Sequence, residues 1–426
     1  MVGTCPVYCN TSFREDSGLF EVLFVIQIDD LIFKLYIFLV IERCLTSTLL
    51  RLAGSFPVIV MTGPRQSGKT TLSRAVFPDK PYVSLENPDE RAFAIEDPKG
   101  FLKRFENGAV FDEAQRWPEL FSWLQGIVDE NPVPGRFVIT GSQQFGLLAG
   151  VSQSLAGRAG MTHLLPLSLA EIPGLKERRF SLDTLMITGG YPALYSRQVA
   201  SADWFASYVA TYVERDVRLV LKIQDLSAFQ RFLRLCAGRN GQLLNMSALA
   251  GETGVSHSTA RSWLSVLESS YLVYLLPPYY QNFGKRLVKS PKLYFLDVGL
   301  ACWLLGIRSA DTLALHPLRG ALFESLVVSE FIKARYNKGV TADLYFWRDN
   351  NGVEADLVFE SGAKLQPVEL KSGSTVTSDY IKASQRAGRF AAGETEPPWL
   401  MYGGDESYER SGLKVIGWRD VVNWVY

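Results

Sequence analysis

The chain carries no excess charge. Its 44 Lys and Arg residues stand against 44 Asp and Glu, so no global field drives it onto a polyanion or an acidic membrane, and nucleic-acid contact must come from local patches. Cysteine is sparse: Cys5, Cys9, Cys44, Cys236 and Cys302 are odd in number and scattered, which argues against a disulfide framework and fits a reducing cytoplasm. Cys5 and Cys9 have no second Cys or His pair beside them, so a zinc site is not expected. A long apolar run free of charge is also missing. Residues 22–41 come nearest, but Asp29, Asp30 and Lys34 lie in the middle of that run, and each costs roughly 2.5–3.5 kcal/mol at the centre of a bilayer. The same segment lacks the basic region and small-residue cleavage site of a signal peptide. What remains is ordinary globular composition, 47% hydrophobic and 21% charged, with roughly three domains expected at about 150 residues each.

Against this background one stretch stands out. Gly63-Pro64-Arg65-Gln66-Ser67-Gly68-Lys69-Thr70 fits G-x-x-x-x-G-K-T, follows the apolar run Val58-Ile59-Val60-Met61, and leads through Thr71 and Leu72 into a helical pattern. That is a P-loop in its required strand-to-helix context. Gly63 and Gly68 let backbone N–H groups converge on a phosphate chain, Lys69 would sit between the β- and γ-phosphates of ATP, and Thr70 would place its hydroxyl on Mg²⁺. The positive end of the helix beginning near Lys69 would face the same anion.

A second element is Gly108-Ala109-Val110-Phe111-Asp112-Glu113, an apolar strand ending in two carboxylates. Asp112 would hold the Mg²⁺ shell, and Glu113 would orient or deprotonate the attacking water, so hydrolysis of ATP is expected as well as binding. Strands are expected at 57–62, 81–86, 108–112, 136–141 and 162–166, alternating with helices in a mainly parallel sheet covered on both faces. The fourth ends in Gly141-Ser142-Gln143, where Ser142 or Gln143 would sense the γ-phosphate or simply make a turn. Arg158 is read two ways: an arginine finger completing a neighbouring subunit's site, or a locally paired structural residue.

The runs GPRQSGKTTL, YVSLENPD, VFDEAQ, ITGSQ, SLAGRAG, LPLSLAEI, GGYP and YVERDV resemble the AAA-type ATPases of bacteria and archaea that carry a C-terminal domain of unknown function. The resemblance covers about 41–426 and implies ATP, Mg²⁺ and an AAA-type P-loop core. Residues 1–40 do not fit that module, whose leading helix is supplied by 41–52. The expectation is that translation begins near Val40 or Ile41, the alternative being a genuine extra strand or helix.

Beyond the core (41–175), residues 176–240 read as helical, and the charged run 214–218 is assigned no chemistry. Residues 241–300 resemble a winged helix: a short helix at 246–253, a turn at Gly254, a second helix capped by Ser256, and a strand at 271–276 returning at 292–296. His257, Ser258 and Arg261 are the polar residues such a helix offers to DNA, and Lys285, Arg286, Lys289 and Lys292 would bind phosphates without sequence preference. Packing without DNA contact is the alternative.

Residues 301–426 bring a different chemistry. Glu324 lies on a helix opened by Arg319, Asp356 lies in the strand pattern Gly352-Val353-Glu354-Ala355-Asp356-Leu357-Val358, and Glu369 and Lys371 are two apart in the next strand and share a face. An acidic residue on a helix, an Asp, then E-x-K resembles the PD-(D/E)xK restriction-endonuclease-like α/β fold. The resemblance implies that Glu324, Asp356 and Glu369 coordinate Mg²⁺ and that Lys371 orients the attacking water, with Glu330 as an alternative or additional ligand. The chain thus reads as a Mg²⁺-dependent ATPase coupled to a nuclease-like domain acting on DNA, with a second copy or a protein partner to be expected and no membrane. The competing reading is an ATP-driven regulatory switch whose winged-helix and C-terminal domains bind a protein partner without cleavage.

Overall fold

The computed structural model describes residues 23–28, 31–36, 41–142, 153–197, 199–213, 225–279, 290–349, 352–388 and 395–425. Gln143, the run 214–218, Lys285, Arg286 and Lys289 lie outside them, as do Cys5 and Cys9. Strands Leu23–Ile28 and Leu31–Tyr36 form an antiparallel hairpin that pairs with no other strand among the described residues.

The core from Thr46 to His163 is a five-stranded parallel sheet. Its strands are Tyr82–Ser84, Ala109–Asp112, Phe137–Gly141, Val58–Thr62 and Ala159–His163, in that spatial order, so the P-loop strand lies between the fourth and fifth strands in sequence. Successive side chains point to opposite faces, and both faces are covered. Val58, Val60, Phe111 and Ile139 pack in one apolar cluster, while Ile59, Met61, Val110 and Val138 pack in another. The fifth strand starts three residues before the sequence expectation of 162 and ends at His163. Its register is fixed by Thr62 opposite His163, and the apolar residues that follow run into Pro166, which cannot donate to a ladder.

After the sheet come short helices at Leu182–Thr188, Pro192–Ser196 and Ser201–Tyr208, then Leu226–Gly238. Helix Met246–Thr253 stops at Gly254 in the left-handed region (φ 82°), and helix His257–Ser269 is capped by the Ser256 hydroxyl accepting from the Thr259 N–H. An antiparallel pair follows, Val273–Leu276 with Lys292–Phe295.

The C-terminal region pairs a long helix, Arg319–Asn337, with a six-stranded sheet in the order Leu344–Arg348, Glu354–Ser361, Lys364–Lys371, Trp399–Tyr402, Leu413–Gly417, Tyr408–Arg410. The first three strands are antiparallel and the next two join in parallel. One apolar core runs from Leu165 through Phe295 and Phe323 to Val421. The middle and C-terminal regions therefore share their interior. No helix among the described residues is long and apolar enough to cross a membrane.

Candidate functional site

The P-loop strand Val58–Thr62 delivers the chain to Gly63, whose φ of 152° is glycine territory. A Cβ there would meet the Leu164 carbonyl oxygen at 2.1 Å, so no other residue fits. Gly68 (φ 95°) opens helix Lys69–Val76. Within this turn the Lys69 ammonium folds onto the carbonyls of Gly63 (3.0 Å) and Pro64 (2.8 Å). Burial lowers its pKa to about 8 even though Glu113 and Asp112 pull the other way; a phosphate beside it would raise it again.

Asp112 ends the third strand and gathers four donors. Thr70 Oγ1 and Tyr82 OH each donate to Oδ2 at 2.6 Å, Thr140 Oγ1 donates to Oδ1, and the Glu113 N–H reaches Oδ1 at 3.0 Å. Burial opposes the ionised form, but the three hydroxyls and the Lys69 charge outweigh it and hold the carboxyl below its usual range. Glu113 sits at φ 55° and accepts from Ser142 Oγ at 3.1 Å and from the Gln115 amide. Gly68, Lys69, Thr70 and Glu113 line a cleft of about 520 Å³, together with Ile41, Arg43, Pro192 and Arg197. The hydroxyl of Ser67, inside the loop, is buried without a hydrogen-bond partner. Thr70 and Asp112 thus present adjacent hard oxygens suited to Mg²⁺.

Sequence reasoning missed Arg43, Tyr82, Thr140 and Arg197. Arg43 donates to the Ser67 carbonyl (2.7 Å), the Leu165 carbonyl (2.7 Å) and Glu171 (3.0 Å), tying the loop to the segment after the fifth strand. Tyr82 and Thr140 stand in the runs YVSLENPD and ITGSQ and Arg197 follows GGYP, so the signal lay in those runs, not in any spacing. Arg158 does not enter its own chain's cleft. It makes a two-pronged pair with Asp129 on the partly exposed surface, Nη2 to Oδ2 at 2.9 Å.

The C-terminal residues also come together. Lys371 Nζ lies 2.5 Å from Glu369 and 3.8 Å from Asp356, and Asp356 accepts from the Leu370 N–H at 2.9 Å. Glu324 accepts from Tyr294 OH at 3.1 Å. Burial first, and then the charge of Asp356, raise the pKa of both Glu324 and Glu369. Glu369 Oε2 is buried without a partner. Even so, no three His, Cys, Asp or Glu side chains among the described residues converge as a metal-binding group. The space among these acids holds ammonium groups, Lys371 from its own strand and Lys292 from outside the domain, so as arranged they do not fit a metal ion. A cavity of about 390 Å³ adjoins Glu324, Asp356 and Glu354.

Two expectations are corrected here. Glu330 takes no part in this cluster: fully buried, it accepts from the Leu169 N–H and from Lys333, both at 2.8 Å, on the ATPase side of the helix. Glu324 and Glu330 are six positions apart, hence about 240° apart around the helix at 100° per residue. Lys292 is not on a phosphate-facing wing. It is 4% exposed and ion-paired with Glu354.

Comparison with known proteins agrees with this layout. Residues 55–173 match the AAA domain family, 179–311 a domain of unknown function (DUF8612), and 319–421 another domain of unknown function (DUF4143). An uncharacterized Mycobacterium tuberculosis protein is 33% identical over 341 residues, 79% of this chain and 75% of its own length. One from Methanocaldococcus jannaschii is 22% identical over 359 residues, 77% of this chain and 78% of the other. Among solved structures, a Walker-type ATPase of Pyrococcus abyssi aligns with a TM-score of 0.43 at 15% identity, covering 62% of this chain and 96% of that one. The chain therefore belongs to one family with the mycobacterial protein, and it is built on an AAA-type P-loop ATPase domain.

Proposed function

We propose that this chain is a Mg²⁺-dependent ATPase whose turnover gates a nuclease-like site in its C-terminal domain, with DNA as the substrate. In this reading 63–71 cradle the phosphates, Lys69 neutralises them, and Thr70 and Asp112 hold Mg²⁺, which supplies charge neutralisation in the transition state. Glu113 polarises the attacking water, Ser142 fixes the orientation of Glu113, and Arg158 completes the site of a neighbouring copy. At the other end Glu324, Asp356, Glu369 and Lys371 form the nuclease-like constellation. The helix His257–Ser269 with its exposed His257, Ser258 and Arg261 is the DNA-facing element of a winged helix.

The observation that carries the coupling is a single helix serving both ends. Arg319–Asn337 holds Glu324 in the acidic cluster, while Glu330 and Lys333 bind the backbone of Leu169 and Leu167 in the ATPase region, and the Asn337 carbonyl accepts from Thr48 at 2.7 Å. A second tie supports it. Thr62, immediately before the P-loop, shares hydrogen bonds with Tyr271 OH (2.6 Å) and His163 Nδ1 (2.8 Å), and the His163 ring packs, tilted by 49°, against Tyr336 of the same long helix with centroids 4.7 Å apart. Tyr271 sits at φ 57°, a conformation that costs a tyrosine about 1–2 kcal/mol, and leads directly into strand Val273–Leu276. A change in the P-loop strand is thus delivered to the hairpin and to the helix that carries Glu324.

The test is metal-dependent cleavage of branched, single-stranded and duplex DNA by purified protein and by Lys371→Ala, each with and without ATP. Cleavage that needs ATP and is lost in Lys371→Ala, with ATP hydrolysis intact, is the expected result. Absence of cleavage on every substrate, with ATP hydrolysis intact, would replace the nuclease reading by that of an ATP switch docking a protein partner.

A further inference from the structure

Besides Lys371, the carboxylates of the C-terminal cluster have a second cation, and it comes from another part of the chain. Strand Lys292–Phe295 belongs to the hairpin that follows helix His257–Ser269. Residues two apart on a strand share a face, and here Lys292 and Tyr294 both enter the acidic cluster: Lys292 Nζ ion-pairs with Glu354 and stands 3.9 Å from Asp356, while Tyr294 OH donates to Glu324 at 3.1 Å. The ammonium also lies 5.4 Å from the Phe346 ring centroid, an orientation that favours a cation. A buried ammonium is tolerated only when acids surround it, and one of these acids, Asp356, is among those that would otherwise bind a metal.

The placement is fixed by its surroundings. The Gly241 N–H donates to the Leu293 carbonyl at 2.7 Å and the Leu244 N–H to the Pro291 carbonyl at 2.8 Å. Asn240 bridges the strand to the long helix, accepting from the Phe295 N–H (2.9 Å) and donating to the Ala321 carbonyl (2.8 Å). Beside Lys292 lies the cavity of about 390 Å³ that reaches Glu324 and Asp356, and Glu369 keeps a buried carboxylate oxygen without a partner. Room and ligands for a hydrated divalent ion are therefore present once the ammonium is elsewhere.

From this geometry we infer that Lys292 is a built-in counter-cation that keeps a divalent metal out of the C-terminal cluster, so the site takes metal only when the Lys292 strand withdraws. The inference rests on the reading of Glu324, Asp356 and Glu369 as the C-terminal site. It adds how that site is held closed, and by which residue. The strand that must move is hydrogen-bonded to the one that follows Tyr271, whose hydroxyl meets the P-loop strand, so nucleotide state is the natural trigger.

The experiment is Mn²⁺ titration by calorimetry on the full chain without nucleotide, comparing wild type, Lys292→Met, Lys292→Arg and Lys292→Met with Asp356→Asn. Lys292→Met is expected to bind one Mn²⁺ at least tenfold more tightly than wild type; Lys292→Arg, which keeps the charge, should behave as wild type, and the double variant should lose the ion. Lys292→Gln, with similar length and a retained donor, replaces Lys292→Met if the latter does not fold. Wild type binding one Mn²⁺ as tightly as Lys292→Met, with the ion lost in the double variant, would overturn the inference and leave the nuclease reading standing. No Mn²⁺ bound by any variant would overturn it as well. Tight binding in Lys292→Met without cleavage of any nucleic acid would uphold it and remove the nuclease reading.

Discussion

Asp112 and Asp356 are both nearly buried aspartates on strands of their sheets, and they are held in opposite ways. Asp112 is surrounded by neutral donors, the hydroxyls of Thr70, Tyr82 and Thr140 and the Glu113 N–H. Asp356 is surrounded by charges: Lys371 at 3.8 Å, Lys292 at 3.9 Å, and the neighbouring acids Glu324 and Glu369, whose protonation it favours. Neutral hydroxyls fix a carboxylate and can share it with an incoming Mg²⁺. Ammonium groups compete with that ion for the same oxygens. The first arrangement is ready for its ligand, and the second is closed by its own side chains. The difference teaches that acidic residues in the right order specify a location, while the donors around them decide whether a metal is accepted there.

The largest test of the open side concerns Arg158. If the ATPase site is complete only with a neighbouring copy's guanidinium, Arg158→Ala should lower kcat for ATP by about 10³–10⁵ with nucleotide affinity unchanged. Mixing in Lys69→Ala protein, which keeps Arg158, should restore turnover. Unchanged turnover would reduce Arg158 to its surface pair with Asp129. Next in size, Asp112→Asn should cost on the order of 10²–10³ in kcat while the fold persists, since Thr140 and the Glu113 N–H can still donate to a carbonyl oxygen in the Oδ1 position and the Thr70 and Tyr82 hydroxyls can turn to accept from the amide in the Oδ2 position. Loss of folding instead would make Asp112 a structural residue.

The contact between the two regions can be probed by pH. Burial lowers the His163 pKa to about 4 from its ordinary 6.5. The unfolded chain therefore takes up a proton that the folded chain refuses: the stabilisation is fully present above about pH 6.5 and fades as pH falls towards 4, by at most about 3 kcal/mol. Thermal melts from pH 7.5 to 5 should show a steeper loss for wild type than for His163→Gln. Equal slopes would mean His163 is not buried against Thr62, Tyr271 and Tyr336 in solution. The smallest effect expected is Ser142→Ala, which removes one hydrogen bond to the Glu113 carboxylate and should lower kcat about tenfold, with nucleotide affinity preserved.

The open site was more legible in the sequence than the closed one, for a physical reason. A P-loop is local: Gly63 and Gly68 are required by backbone geometry within eight consecutive residues, so spacing alone locates it. The ends of Val58–Thr62 and Ala109–Asp112 were recognisable because an apolar run stops at a polar tip. Arg43, Tyr82 and Thr140 were not, since each reaches the site from a separate element; Tyr82 and Thr140 stand in the runs YVSLENPD and ITGSQ, but no spacing marks them. In the C-terminal region the order and shared face of Glu324, Asp356, Glu369 and Lys371 marked side chains that the fold brings near one another, but Glu330 was misplaced because an apolar stripe does not say which neighbour it packs against. Lys292 was misread as a surface residue for a related reason. Basic residues near a turn are usually solvated, and only the tertiary structure reveals that this one is buried among acids of another region.

The account turns on the link between the two sites, through Tyr271 and the hairpin that ends at Lys292. The most direct measurement is amide hydrogen exchange of the full chain in a Glu113→Gln background, with and without ATP, read at Val273–Leu276 and Lys292–Phe295 as well as at 63–70. The account predicts that ATP alters protection in both hairpin strands and that Tyr271→Phe abolishes the change there while leaving the P-loop response intact. A response confined to 63–70, or a hairpin response that survives Tyr271→Phe, would contradict it.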